Sequence, residues 1–272
     1  ALPISMNREK KFLAKLCIFL FMMLCATFVF ANGNVKDVQA ASQMVKLKEG
    51  VTYTKYDFTR DGKKDRFKYV NDRSSGNNYK IYINGKYKKK LSGENGIALY
   101  WCRIDRKNTY LLSEKSVSAF HSLTVYMYSG GNFKAVKGTG LLDRNSLRCM
   151  RFSKIQGDTL YVSSEQKIAR ESSFKNASGS IKTVTKFKLR NNKISCLTPV
   201  AKITGRRTFY AKTSFQTSAN SGKLNVKNGP KVKAGQKVTL NYIKFDGFDY
   251  IYQISVGGRK GWFKDSYSIQ FR

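Results

Sequence analysis

Residues 79–91 read YKIYINGKYKKKL, in which Asn84 and Gly85 separate two runs rich in tyrosine, isoleucine and lysine. Asn-Gly accepts the positive φ that a two-residue hairpin turn requires, so this stretch predicts a β-hairpin. Two later stretches have the same form: residues 123–136, turning at Gly130-Gly131, and residues 183–197, turning at Asn191-Asn192. Three such hairpins predict an all-β protein.

A shorter turn precedes each hairpin and lies between two further strand-like runs. These inner turns are Asp61-Gly62, Arg106-Lys107-Asn108 and Gln156-Gly157-Asp158. The pattern predicts a unit of four strands that occurs three times at a spacing of roughly 50 residues, which is typical of propeller blades. We predict an open, propeller-like meander over residues 42–204, with one twisted open sheet or a sandwich as the alternatives.

The pattern changes after residue 204, where short strand-like segments separated by glycine turns predict a small barrel over residues 205–272. Residues 233–240, KAGQKVTL, and residues 258–263, GRKGWF, resemble a strand and the closing segment of the bacterial SH3-like (SH3b) family of envelope-binding domains. This resemblance implies an SH3-like barrel that binds a component of the cell envelope.

Aromatic residues lie close to the turns of the predicted barrel, where their rings are able to stack on sugar rings or peptide stems. Because side chains alternate between the two faces of a strand, about half of them must face the core. The candidate ligand-binding residues are Tyr242, Phe245, Phe248, Tyr250, Tyr252, Trp262 and Lys260.

Residues 57–65, DFTRDGKKD, place oxygen-bearing side chains around a glycine turn. Hard cations need several oxygens from one tight loop, so the spacing predicts a calcium site formed by Asp57, Thr59, Asp61 and Asp65. The stretch is similar to calcium-binding repeats of integrin-like or thrombospondin-like type in secreted Firmicutes proteins. The alternative is an Asp-Gly turn whose carboxylates cap backbone amides, since the basic residues of the loop oppose a bound cation.

The amino terminus has the features of an export signal. A basic head is followed by the uncharged run 16–31 and by small residues at Ala40 and Ala41. The run is short for a membrane span, which needs about 20 residues. We predict a signal peptide over residues 1–41, cleaved near Ala40, and no transmembrane segment after cleavage; a retained membrane anchor is the alternative. The mature protein is expected outside the cell, associated with the cell wall.

Positive charge is the strongest compositional feature, because 51 Lys and Arg residues against 17 Asp and Glu give a net charge of +34. A hydrophobic content of 41% still suffices for a packed core. So strong a field attracts polyanions, and their binding weakens as salt screens it. Outside a Gram-positive cell, the expected partners are wall teichoic acid, peptidoglycan and other envelope polyanions rather than nucleic acid.

The residues needed for common hydrolytic mechanisms are scarce. His121 is the only histidine, and Cys102, Cys149 and Cys196 lie in strand-like stretches without a recognisable catalytic signature. We therefore expect buried cysteines and a non-enzymatic, secreted, envelope-binding protein. The alternative function is an extracellular protein-interaction or ligand-sensing module with a purely structural barrel, and a hydrolase with an unrecognised site is a third class.

Overall fold

Antiparallel strands are nearly all of the regular secondary structure in a computed structural model that describes residues 42–272. The exceptions within this range are residues 73, 75, 106–107, 118–119, 148, 168–171, 175–176, 178, 198–199, 206 and 247–248. The predicted signal peptide and Phe248 therefore lie outside the described residues. The predicted all-β class is confirmed.

The strands are, in chain order, β1 (Gln43–Leu47), β2 (Phe67–Asp72), β3 (Asn78–Ile83), β4 (Lys86–Ser92), β5 (Ile97–Arg103), β6 (Thr109–Val117), β7 (Phe120–Ser129), β8 (Asn132–Ala135), β9 (Cys149–Gln156), β10 (Thr159–Lys167), β11 (Ser180–Arg190), β12 (Lys193–Cys196), β13 (Val200–Ile203), β14 (Thr208–Tyr210), β15 (Phe215–Gln216), β16 (Lys231–Val232), β17 (Lys237–Asp246), β18 (Asp249–Val256) and β19 (Arg259–Lys264). A short helix, α1 (Leu141–Arg144), follows β8, and a 3-10 turn (Ser172–Phe174) lies between β10 and β11.

These strands form four antiparallel sheets. A three-stranded sheet has the order β2-β3-β4, and a five-stranded sheet has the order β1-β5-β6-β7-β8. A nine-stranded sheet has the order β19-β18-β17-β13-β11-β10-β9, with β12 paired to β11 and β14 paired to β17. Strands β15 and β16 form a separate pair.

The three predicted hairpins are present as β3–β4, β7–β8 and β11–β12. Their turn residues are the predicted ones, and all have φ between 52° and 79°. The Asn191-Asn192 turn is the most demanding of the three because neither residue is glycine. Asparagine is one of the few residues with a side chain that enters this left-handed region readily.

The first unit does not contain the predicted four strands. Its sheet consists of β2, β3 and β4, and a single bridge from Tyr53 to Phe67 stands where the first strand was predicted. The intervening residues 57–65 form an irregular loop, whose aspartates accept hydrogen bonds from its own amides. The second unit instead gains a strand, because β1 pairs with β5 from Gln43–Arg103 to Leu47–Leu99.

Strand β13 connects the third unit to the carboxy-terminal strands. It pairs with β11 on one side and with β17 on the other, which extends one sheet across position 205. No sheet among the described residues closes into a barrel, in contrast to the closed form predicted for residues 205–272. The reason lies in the pairing of β17. One of its edges pairs with β18, and the other pairs with both β14 and β13, so the sheet continues through β13 into the third unit. The domain boundary near residue 204 stays a prediction.

Hydrophobic clusters separate the sheets into layers. Phe67 of the three-stranded sheet packs in one cluster with Leu111 of the five-stranded sheet. Leu112 of the five-stranded sheet packs in a second cluster with Phe187 of the nine-stranded sheet. Successive residues of β6 therefore point into different cores, which makes the five-stranded sheet a middle layer. A third cluster lies against the carboxy-terminal strands and includes Phe174, Phe209, Tyr252, Phe263 and Phe271.

Glu114 on β6 links the middle layer to the edge of the nine-stranded sheet. Its carboxylate accepts hydrogen bonds from the backbone N–H of Phe152 on β9 (2.6 Å) and from the hydroxyl of Tyr100 (3.1 Å). Glu114 is only 7% exposed. Burial raises the pKa of this carboxyl above its ordinary value, although the two hydrogen bonds and nearby Arg151 oppose the shift.

The raised pKa predicts how Glu114 affects stability. When a carboxyl has a higher pKa in the folded than in the unfolded protein, its contribution to the stability of the protein falls as the pH rises from the unfolded-state pKa to the folded-state pKa. Glu114→Gln removes this titration while keeping an acceptor for Phe152. We expect its unfolding free energy, relative to the wild type, to be higher at about pH 7.5 than at about pH 4. Urea unfolding at both pH values measures this difference, and a difference that does not change with pH would contradict the expectation.

Candidate functional site

The predicted calcium loop is held by hydrogen bonds to its own backbone. Asp57 accepts from the N–H of Arg60 through Oδ1 (2.5 Å) and from the N–H of Gly62 through Oδ2 (2.9 Å). Asp61 accepts from the N–H of Lys63 (2.8 Å). Both aspartates therefore cap amides of the loop, and Asp61 does so in an Asx turn, as the alternative to a calcium site predicted.

Asp65 is the buried centre of this loop, with 2% of its surface exposed. Its Oδ2 accepts from the backbone N–H groups of Phe58 (2.7 Å) and Thr59 (2.8 Å). Its Oδ1 accepts from the Asn84 side-chain amide (2.8 Å) and the Thr59 hydroxyl (3.3 Å). Within the described part of the chain, no group of three or more His, Cys, Asp or Glu residues is placed to hold a metal. The loop thus holds its shape through its own donors, and calcium binding stays a prediction.

The carboxylates of Asp65 and Asp61 differ in burial, so their removal should affect stability unequally. Asp65→Ala should lower the unfolding free energy by more than about 2 kcal/mol, because it leaves buried donors unpaired. Asp61→Ala removes one exposed hydrogen bond and should cost less than about 1 kcal/mol. Urea unfolding in excess calcium and in EDTA measures both variants. If Asp65→Ala were destabilised only in calcium, the main partner of this carboxylate would be an ion rather than the amides.

Arg60, in the same loop, contacts the turns of the other two units. Its Nη2 donates to Oδ1 of Asn108 (2.7 Å), in the turn between β5 and β6, and its Nη1 donates to Oδ1 of Asn192 (3.2 Å), in the turn between β11 and β12. The guanidinium also lies 5.6 Å from the ring centroid of Tyr110. The Tyr110 hydroxyl donates to the same Asn192 oxygen (3.1 Å). One planar cation thereby connects all three units.

The planar geometry of Arg60 should matter more than its charge. Arg60→Lys keeps the charge but replaces the two planar donor nitrogens by a single ammonium on a different stem, which does not reproduce both hydrogen bonds, so we expect a loss of about 2 kcal/mol in unfolding free energy. Arg60→Gly removes the side chain but also relieves the positive φ of 67° at this position, so its loss of stability should be smaller than that of the side-chain contacts alone. Lys63→Ala, at an exposed position of the same loop, should change stability by less than about 0.5 kcal/mol. If Arg60→Lys were as stable in urea as the wild type, the two guanidinium hydrogen bonds would not be what holds the units together.

The predicted ligand-binding aromatics are divided between the two faces of the sheet. Phe245 is 6% exposed and Tyr252 is fully buried, and both belong to the third core cluster, against which Tyr250 packs. These two residues are therefore not surface contacts, because alternate positions of β17 and β18 point inward. Tyr242 is 36% exposed and Trp262 is half-buried. Tyr242 is paired with Gln253 on one side and Trp262 is paired with it on the other. These two aromatic residues therefore remain as neighbouring candidates for ligand binding.

The nine-stranded sheet has one buried and one solvent-exposed face, and we call the second the outer face. Strand β11 shows the alternation clearly, with Lys182, Val184 and Lys186 exposed and Thr183 and Thr185 buried between them. On the neighbouring strands, the residues paired with the exposed residues of β11 face the same side of the sheet. The basic residues of the outer face are Arg151, Lys154, Lys167, Lys182, Lys186, Lys188, Arg190, Lys202, Lys244, Lys260 and Lys264.

Carboxylates on the outer face are few and partly paired. Among the described residues they are Glu165, Asp246 and Asp249, and Asp158 in the turn between β9 and β10 lies 3.4 Å from Lys188 of this face. Lys182 lies 3.5 Å from Glu165, and Lys264 lies 2.7 Å from Asp249. Exposed pairs of this kind contribute little stability, so their effect is mainly to neutralise charge locally. The remaining excess of cations makes this face strongly positive.

A row of side chains crosses the outer face at right angles to the strands. Each member lies opposite the next on the adjacent strand, from β9 through β10, β11, β13, β17 and β18 to β19. Strands lie about 4.8 Å apart, so the six steps span about 29 Å. This transverse row consists of Arg151, Ser163, Val184, Lys202, Tyr242, Gln253 and Trp262.

A depression of about 590 Å³ lies at the β9 end of the row. Its lining includes three cations, Arg151, Lys167 and Lys182, and one carboxylate, Glu165. The Ser180 hydroxyl donates to Glu165 (2.6 Å), and this bond, together with Lys182, lowers the pKa of the carboxyl. Glu165 is therefore ionised at neutral pH and shares its charge with Lys182. We call this depression the cationic groove.

Burial affects the titration of both Cys102 and His121. Cys102 is fully buried, and burial raises the pKa of its thiol to about 12, so it stays protonated. Burial and Arg151 lower the pKa of His121, whose imidazole is neutral at neutral pH. None of the three described cysteines forms a disulfide. Cys149 is exposed and Cys196 is half-buried, which corrects the expectation that each is buried.

Comparison of the chain with protein-family models, with curated proteins and with solved structures gave no significant match. None of the helices that the structure describes has the length and apolar character of a membrane span.

Proposed function

We propose that this is a secreted, non-enzymatic protein that binds anionic polymers of the cell envelope, such as wall teichoic acid or peptidoglycan. The outer face of the nine-stranded sheet is the observation that carries the proposal. Its exposed positions are rich in lysine and arginine, while its few carboxylates are partly paired with lysines. A positive surface of this kind attracts extended polyanions.

The chemistry of the cations favours a repetitive, flexible partner. Lysines dominate the outer face, and an ammonium is a point charge on a flexible stem that suits diffuse attraction. The cations are distributed over strands from β9 to β19 rather than collected in one enclosed pocket. A long polymer is able to contact many of them at once, and each contact releases counterions.

Export and domain roles complete the proposal. Residues 1–41 act as a signal peptide, which brings the mature chain to the polymers outside the membrane. The three stacked units of residues 42–204 form a propeller-like scaffold, supported by the matching hairpins and the layered cores. Residues 205–272 form the SH3-like part, supported by the bridges Ala211–Phe271 and Ser218–Trp262, which connect distant segments around β17 to β19.

Sedimentation with purified Gram-positive walls tests this function. The folded mature chain should sediment with walls at about 50 mM salt, and its affinity should fall at least about tenfold by about 200 mM because salt screens the cations. Walls stripped of phosphate polymer should retain less protein than intact walls. A protein that stays in the supernatant at every salt concentration would refute the proposal.

A further inference from the structure

We propose that the outer face binds one chain of a sugar-bearing phosphodiester polymer along the transverse row. In this arrangement the cationic groove holds a phosphate, and Tyr242 and Trp262 contact a sugar. The inference rests on the proposed function and names the place and the chemical class of the ligand. Four observations support it: the charge of the groove, an unpaired acceptor, the spacing of the two ends and the residues between them.

The groove provides the donors that a phosphate requires. Arg151 is exposed and has a planar guanidinium, which forms two parallel hydrogen bonds with phosphate oxygens. Lys182 and Lys167 line the same depression and add two point charges. Glu165 offsets one of these three cations, so the groove keeps a positive excess. A phosphodiester carries one negative charge and acceptor oxygens, which complement this set.

The other end of the row provides aromatic surface and an unpaired acceptor. Gln253 lies between Tyr242 and Trp262 in the register of β17, β18 and β19. Its Oε1 is buried and has no hydrogen-bond partner among the described residues. A buried acceptor without a partner is costly, and a sugar hydroxyl would supply the missing donor once the half-buried Gln253 side chain rotates to expose the oxygen. The two rings beside it offer apolar faces on which a sugar is able to stack.

The distance between the two ends favours an extended ligand. Val184, at the edge of the groove, is two strands from Tyr242 and four strands from Trp262, which corresponds to about 10 and 19 Å. A ligand that contacts the groove cations and both rings must therefore be longer than a single sugar phosphate. Val184 and Lys202 lie in the interval and are both exposed, so the path between the ends is open to solvent and carries a further cation.

Titration calorimetry with two defined polymers tests the inference. The probes are poly(glycerol phosphate) with and without glucosyl substituents, and polygalacturonate serves as a carboxylate polymer without phosphate. The double variant Arg151→Gln/Lys182→Gln should weaken binding of both phosphate polymers at least about tenfold. Lys68→Gln removes one charge from an exposed position of β2 in a different sheet and should change affinity less than about twofold.

Two further variants separate the ends of the row. Glu165→Gln removes the competing carboxylate and should tighten binding of both phosphate polymers. Tyr242→Ala should weaken binding of the glucosylated polymer and leave the unsubstituted one within about twofold, since only the former presents a ring for stacking. Unchanged melting temperatures establish that each variant is folded.

The outcomes distinguish this inference from the proposed function. Suppose that the wild type binds both phosphate polymers but the groove double variant loses no more affinity for each removed charge than Lys68→Gln does. The inference would then be wrong, and diffuse binding to the wall would stand. Equal affinity for polygalacturonate would overturn the phosphate preference. If the wild type bound neither the polymers nor intact walls, the proposed function itself would fail.

Discussion

The guanidinium of Arg60 is the contact on which the arrangement of the three units depends. The sheets pack against one another through apolar clusters, and apolar attraction has no preferred direction. Directed hydrogen bonds to Asn108 and Asn192 fix the three turns at one point. Asn108 is itself held by the Asp105 carboxylate (2.9 and 2.7 Å), so the acceptor is oriented before Arg60 reaches it. A few polar turn residues thus add direction to a packing that is otherwise mostly apolar.

The outer face follows from this arrangement and from strand geometry. With the middle layer packed against one side of the nine-stranded sheet, alternate residues of β9, β10 and β11 must point to the other side. Hydrogen bonds between strands then align these residues into rows, although they are distant in the chain. Arg151 and Trp262 belong to the same row for this reason alone. Binding surfaces of this type are properties of register rather than of local sequence.

Turn chemistry was predictable from the sequence, and long-range placement was not. Asn84-Gly85, Gly130-Gly131 and Asn191-Asn192 accept positive φ locally, so the hairpins could be located correctly. The alternation of side chains along a strand correctly implied that some aromatic residues face the core. Without the strand register, it could not identify Tyr252 as buried and Tyr242 as exposed. The cationic groove left no local signal, because Arg151 and Lys182 meet only through the pairing of β9, β10 and β11.

The distribution of lysines explains how so basic a chain folds. Only part of the surplus is neutralised by carboxylates, and several lysines lie over tyrosine rings instead. Lys89 lies 5.0 Å from the ring centroid of Tyr126, and Lys154 and Lys186 lie 4.6 and 5.5 Å from that of Tyr161. Such contacts stabilise a cation without cancelling its charge. Tyrosine therefore lets the sheet keep both a defined surface and a positive field, whereas additional aspartate or glutamate would order the surface at the expense of the attraction for polyanions.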